Sequence, residues 1–283
     1  MNRTAPKSCV LECRERLLRF EERTLVMGIL NVTPDSFSDG GQFLNHDAAV
    51  AHALRMIAEG ASAIDIGGQS TRPGYAEISA AEEIERVVPV IERLRRETST
   101  VISIDTYKAA VARAALEAGA HILNDVHGLQ GDPELAQIAA HFRCPVIVMH
   151  QEKTFREEAG DTLDKLRRFF DRSVAIAEAA GIASEQIVFD PGIGFFKTLE
   201  QNLEIIARLG EIRRWGFPVL LGASRKSSIG QVLDLPAEQR LEGTLATTSV
   251  AAWQGVEMVR VHDVQPNVRT AKMIAAIRAT ILP

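Results

Sequence analysis

Asp105, Asn124 and Asp190 each end a short run of Val, Ile or Leu. If those runs finish at one face of a fold, two carboxylates and an amide converge there. Such a set suits a flat, nitrogen-rich heterocycle that offers several N–H donors and a carbonyl. Paired donors opposite a carboxylate make bidentate, charge-assisted hydrogen bonds. Lys226, in the stretch Gly222-Ala-Ser-Arg-Lys226, can donate to ring nitrogen or oxygen acceptors. The same groups could instead form a buried ion-pair cluster that serves structure. Arg260 and His262 are two residues apart, so on a strand they point to one side. With Ser224, Arg225 and Lys226 they make a cationic corner suited to phosphate. Asn31 ends the first apolar run and offers a neutral oxygen to Mg²⁺. A magnesium ion held mainly by phosphate oxygens and water needs few protein ligands. Of the other histidines, His150 is singled out by its place at the end of such a run.

These residues need strands to carry them. Apolar runs predict strands near 25–30, 63–66, 101–104, 122–124, 145–149, 187–189, 218–221 and 258–261. Consecutive Val, Ile and Leu are the mark of strands buried on both faces. Amphipathic segments between them, among them 48–59, 80–96, 108–117, 163–180 and 264–278, predict helices. Gly60, Gly119 and Gly181 suit left-handed caps at helix ends. Asp132 before Pro133 is a cap followed by a first turn. Eight strand-then-helix units without a Pro/Ser/Gly linker imply a single-domain α/β (β/α)8 TIM barrel. A doubly wound open sheet is the alternative, but no G-x-G-x-x-G fingerprint follows the first strand. In a barrel, the segments after all eight strands surround one mouth. Polar groups at seven such ends exceed what turns need.

With 46% hydrophobic and 24% charged residues in 283, the chain has material for a sizeable core. A formal charge of −5 gives no general attraction to nucleic acid or an anionic membrane, so phosphate binding must be local. Cys9, Cys13 and Cys144 are too few and too scattered for a disulfide framework, which points to a reducing cytoplasm. Cys9 and Cys13 form a lone C-x-x-x-C, short of a metal site. No apolar run reaches the roughly 18 residues of a membrane span, and no signal-peptide core is present.

The motifs as a set resemble the bacterial dihydropteroate synthase family. They are GILNVTPDSFSDGG at 28–41, STRPG at 70–74, IDT at 104–106, NDV at 124–126, DPG at 190–192, SRKS at 224–227 and RVHD at 260–263. Many motifs in one order are far more specific than any single one. The resemblance runs from about Leu25 onward. It implies a variable N-terminal lead at 1–24 and a pterin-binding TIM-barrel domain at 25–283, and a homodimer. The implied reaction joins 6-hydroxymethyl-7,8-dihydropterin diphosphate to 4-aminobenzoate, giving dihydropteroate and diphosphate in folate biosynthesis. By the same resemblance, Asp105, Asn124, Asp190 and Lys226 hold the pterin, and Met149 and Gly222 join them as substrate-binding residues. Asn31, Arg260 and His262 hold diphosphate and its Mg²⁺, with Asn31 on the metal. Thr71, Arg72 and Pro73 belong to a second mobile loop, and Phe195, Lys226 and Ser227 flank the aminobenzoate. The catalytic set is Asp35, Arg72, Lys226, Arg260 and His262.

The implied mechanism explains a first loop that keeps Phe37 in polar surroundings. Gly40 and Gly41 let the loop move, and Phe37 becomes a wall when it closes as a lid. Diphosphate leaves first, and the lid shields the resulting pterin cation from water. Asp35 is placed to stabilise that cation, while Arg260, His262 and Mg²⁺ stabilise the departing charge. Three places depart from the family pattern: Gln69 stands where many relatives have Glu, Phe196 replaces a glycine in Gly194-Phe-Phe-Lys197, and the segment Gln-Glu-Lys at 151–153 follows His150. The competing readings are a pterin-binding methyltransferase barrel, which has no use for a diphosphate corner, and a catalytically silent paralogue that binds pterin.

Overall fold

A computed structural model describes residues 10–20, 23–33, 42–69 and 77–281, with 42–45 as helical backbone only. An antiparallel hairpin comes first, β1 (Val10–Cys13) and β2 (Arg16–Arg19). Eight parallel strands follow: β3 (Leu25–Asn31), β4 (Ala63–Gly67), β5 (Val101–Asp105), β6 (Ile122–Asp125), β7 (Val146–Met149), β8 (Ile187–Asp190), β9 (Leu220–Leu221) and β10 (Met258–Val261). Each pairs with the next, β10 pairs with β3, and a bridge from Phe189 to Val219 joins β8 to the chain entering β9. The ring closes, as the eight apolar runs predict, and the open doubly wound alternative falls.

Ten helices among the described residues surround it: α1 (Gln42–Ala58), α2 (Ala80–Glu97), α3 (Ala109–Ala118), α4 (Glu134–Phe142), α5 (Thr162–Ala179), α6 (Leu199–Ala207), α7 (Leu209–Arg213), α8 (Ser227–Leu233), α9 (Leu241–Trp253) and α10 (Val264–Arg278). None is long and apolar enough to cross a membrane. Gly119 caps α3 at φ +115°, where an L side chain would be strained. Asp132 accepts from Glu134 N at 3.0 Å, but the helix begins one residue later than the sequence suggests: Pro133 takes the cap position and α4 starts at Glu134.

Period-two alternation decides which side chains enter the barrel. Val26, Leu30, Ile64, Ile66, Ile102, Ile104, Leu123, Val146 and Val148 share the large core cluster with residues of the surrounding helices. The opposite phase faces inward. Its lower layer is Leu25, Met27, Ala63, Val101, Ile122, Ile147, Val188, Leu220 and Met258, all in one buried cluster. The hairpin closes that end, with Leu11, Cys13 and Leu18 in the same cluster. Arg14 at its turn donates to Leu116 O and Ala120 O at 2.8 and 2.7 Å. The lead at 1–24 therefore contains an ordered plug that its short charged strands did not announce.

Candidate active site

One step up each strand, the same inward phase changes character: Asn31, Asp65, Ser103 and Asp105, Asn124, Met149, Asp190, Gly222, Arg260 and His262 follow the apolar layer. The register sets Asn31 beside Gly67, Gly67 beside Asp105, and Asp105 beside Asn124. Across the ring, Met149 stands beside Asp190. Asp125 has the outward phase and serves its turn, its carboxylate accepting from His127 N and Leu129 N at 2.9 and 2.7 Å. Of the Asn124-Asp125 pair, only Asn124 belongs to the site.

Arg260 organises the mouth. Its Nε donates to Asp65 Oδ2 at 2.5 Å and its Nη2 to Asp105 Oδ2 at 2.7 Å. Asn124 Nδ2 donates to the same Asp65 oxygen at 3.0 Å. The ion-pair alternative is thus realised in part, and Asp65, absent from the sequence-derived site, lies at its centre. Burial raises the Asp105 carboxyl to about 7 against the pull of Arg260 and with the push of Asp65. One guanidinium shared by two buried carboxylates leaves one of them prone to hold a proton. Burial works against the Arg260 charge, yet Asp65 and Asp105 hold it above its ordinary value. Asp65 Oδ1 and Asp105 Oδ1 are buried without a partner among the described residues. Buried acceptors left unpaired are costly, so two in one layer suit an N–H-rich ligand.

Asp190 Oδ1 accepts from Gly192 N at 2.8 Å, and burial raises its carboxyl. The ammonium of Lys226 sits 4.2 Å from the centroid of the Phe195 ring, a cation–π distance. Ser224 Oγ lies 3.0 Å from His262 Nδ1 and accepts from His262 N at 3.2 Å. Arg225, counted from sequence among the phosphate donors, instead makes a bidentate pair with Asp263 at 3.0 and 2.7 Å. A cavity of ≈ 830 Å³ opens at this mouth, with Asn31, Asp105, Phe195, Gly222, Lys226 and Ser227 in its wall, and Arg260 and His262 as well, while Asp65, Asn124, Met149 and Asp190 are not part of that wall. Phe196 lines it too, 38% exposed, with φ +48°. Asp35, Phe37, Gly40, Gly41, Thr71, Arg72 and Pro73 lie outside the described residues, as does the Phe43 side chain.

Gln69 Oε1 accepts from Lys108 Nζ at 2.7 Å and Ile78 N at 3.2 Å, and its Nε2 donates to the Tyr107 hydroxyl at 2.8 Å. A glutamate there could not donate to the hydroxyl, whose own proton goes to Glu77 at 3.2 Å, and would compete with Glu77 for that proton. This gives the departure at 69 a local use beside the second loop.

The pterin binding enzyme family matches residues 27–262. A dihydropteroate synthase of Bacillus subtilis is 48% identical over 276 residues, 97% of this chain and 95% of the relative. The chain belongs to the dihydropteroate synthase family. It is a transferase of folate biosynthesis and joins 6-hydroxymethyl-7,8-dihydropterin diphosphate to 4-aminobenzoate. The similarity extends to solved structures. A Xanthomonas albilineans dihydropteroate synthase with 4-aminobenzoic acid is 42% identical, with TM-score 0.91, covering 98% of this chain and 100% of that one. The same enzyme with 7,8-dihydropteroate is 40% identical, with TM-score 0.88, covering 97% and 100%.

Proposed function

We propose that the inward polar layer is the place of condensation and that its residues divide into three grips. Asp105, Asn124 and Asp190 take the pterin N–H groups, with Lys226 donating to ring acceptors and Met149 and Gly222 bounding the ring. Asn31 and Arg260, on the paired strands β3 and β10, and His262, just past the end of β10, face the diphosphate. Phe195, Lys226 and Ser227 flank the aminobenzoate, which the Xanthomonas relative also binds. The observation that carries this reading is Asp105 Oδ1, buried without a partner among the described residues, on a residue that lines a cavity together with the cationic Lys226 and Arg260.

In the reaction, the bond from the pterin methylene carbon to diphosphate oxygen breaks, and its electron pair leaves on diphosphate. The aminobenzoate nitrogen lone pair then forms the new C–N bond and the nitrogen loses a proton. The aromatic amine is neutral at pH 7 and needs positioning more than a strong base. Arg260 Nη1 has no acceptor among the described residues, so the guanidinium can hold both carboxylates and still face the departing charge. Asp35, Arg72, Thr71 and Pro73 complete the catalytic and substrate set from the two loops.

Magnesium fits the donors present. Among the described residues no group of three or more His, Cys, Asp or Glu could cage a metal ion, and Asn31 has no hydrogen-bond partner for its side-chain amide. One neutral oxygen suits an ion held mostly by diphosphate and water, where it would offset the charge of the leaving group. A homodimer is supported by exposed Val250 and Trp253 on α9 next to exposed Met273 and Ile277 on α10, apolar area that a second copy would cover. A cytoplasmic location accords with Cys13 and Cys144 as buried thiols.

Purified protein with both substrates and Mg²⁺ should release diphosphate, and omission of either aminobenzoate or Mg²⁺ should abolish dihydropteroate formation. Pterin binding without turnover would return the chain to the silent-paralogue reading. Sedimentation at micromolar concentration should give twice the chain mass.

A further inference from the structure

Lys197 has no part in the reaction above, yet it is 4% exposed behind the aminobenzoate wall. Its ammonium donates to Gly192 O at 2.8 Å and Phe195 O at 3.2 Å, and lies 2.8 Å from His150 Nδ1. His150 O, at 3.5 Å, is a fourth and more distant acceptor, so the three N–H protons are all taken up. An ammonium carries no lone pair, so Nδ1 accepts, and the neutral imidazole keeps its proton on Nε2. Burial and the neighbouring Lys197 charge press the His150 pKa far below its ordinary value, in keeping with that tautomer. The surroundings are aromatic: Phe155 lies 5.1 Å from the ammonium, and His150 packs edge-on against Phe155 and Phe169. The charged groups that bear on Lys197 are Asp190, Lys226 and Glu152. Lys165 and Arg172 of α5 bear on His150, and Glu152 Oε2 is 3.9 Å from its Nε2.

The segment that Lys197 holds is a tight left-handed turn, with strain only at Phe196. Gly192, Gly194 and Phe196 have φ of +65°, +84° and +48°, and a Cβ on Gly192 would stand 2.0 Å from His150 O. The turn directs the carbonyls of Gly192 and Phe195 at one point in an apolar pocket. Without a donor there, Phe195 O would lose its partner and Gly192 O would keep only the Phe195 N–H, 3.2 Å away. The same turn begins at Asp190, which binds Gly192 N, and ends at Phe195, which lies under Lys226.

We propose that Lys197 is a positioning residue for the arylamine, its buried ammonium drawing the 192–196 turn closed on a neutral His150 and so fixing Phe195 against Lys226. The proposal rests on the reading that aminobenzoate lies beside Phe195, Lys226 and Ser227. Lys197→Met keeps the length and removes the donor. In a folded variant, checked by circular dichroism, the KM for 4-aminobenzoate should rise about tenfold, the effect of losing one such contact. The KM for the pterin diphosphate should stay within about twofold. Both constants rising together, or neither, would overturn the proposal. Phe195→Ala separates the two levels. If it too leaves the aminobenzoate KM unchanged, the pocket reading itself fails; if it raises that KM while Lys197→Met does not, only the role of Lys197 fails. The parent enzyme gives a second readout should Lys197→Met not fold. Burial pushes the lysine down to about 7, so at saturating pterin diphosphate the aminobenzoate KM should climb several-fold between pH 6 and 9. A flat profile would overturn the proposal equally.

Discussion

The two ends of this barrel are built from the same eight strands and the same inward phase, yet they use opposite chemistry. At the bottom, Met27, Ala63, Val101 and their neighbours meet Leu11, Cys13 and Leu18 of the hairpin in one apolar cluster. At the mouth, one residue pair higher, Asp65, Asp105, Asn124, Asp190 and Arg260 take the equivalent inward places. The bottom gains stability from burial. The mouth buries carboxylates that burial pushes toward their neutral forms and leaves two oxygens without partners among the described residues. The difference teaches a division of labour: the bottom holds the barrel together, and the mouth accepts a stability cost for a polar ligand.

The largest effect should come from the bottom. Leu11→Ala leaves a cavity under the barrel and should cost about 2–5 kcal/mol in urea unfolding. Both KM values should remain within about twofold of the parent. A change in either KM as large as the stability loss would show that the ends are not separable.

The next effect concerns pH at the mouth. Asp105 has a folded-state pKa of about 7 against an ordinary 3.8. Because it is raised, its contribution to stability is full below the unfolded value and is lost as pH rises through about 7. Ligand binding runs the other way, since ionised Asp105 accepts pterin N–H groups. Pterin affinity measured by calorimetry should therefore rise roughly tenfold at most from pH 6 to pH 8, and the rise should vanish in Asp105→Asn. A pH-independent affinity in the parent would remove Asp105 from the pterin grip.

Much of this plan is legible in the sequence, for physical reasons that also mark where legibility stops. Strands buried on both faces read as apolar runs, so all eight stand close to their expected places, and the polar residues at seven of their ends already mark the mouth. Asp65 reads only as a polar group at the end of the second run and is given no role in the site, because nothing local tells that Arg260 will meet it from 195 positions away. Arg225 misleads for the same reason: Asp263, its partner, is 38 residues distant. The hairpin has strands of only four residues, too short for alternation to stand out. Lys197 has no role in the sequence reading, since only the fold brings His150 and the carbonyls of Gly192 and Phe195 around it.

The smallest expected effect lies at the rim. Phe196 occupies a left-handed position that glycine adopts without strain, and it lines the cavity. Sulfonamides imitate aminobenzoate and should compete for the pocket beside Phe195. Phe196→Gly should lower the sulfonamide inhibition constant by a factor of a few, within the about 1–3 kcal/mol that rim contacts control, with the aminobenzoate KM less changed. An unchanged ratio of the two constants in a folded variant would make Phe196 a packing residue.

The division between the two ends is tested most directly by Asp190→Asn, with pterin affinity and thermal unfolding measured on the same preparation. The amide keeps an oxygen for Gly192 N and loses only the charge and one acceptor. The pterin affinity should fall by the equivalent of about 1.5–3 kcal/mol, while the unfolding midpoint stays level or rises, because burial disfavours the charge on Asp190. An affinity within about twofold of the parent together with a lowered midpoint would contradict the account and make the polar mouth part of the scaffold.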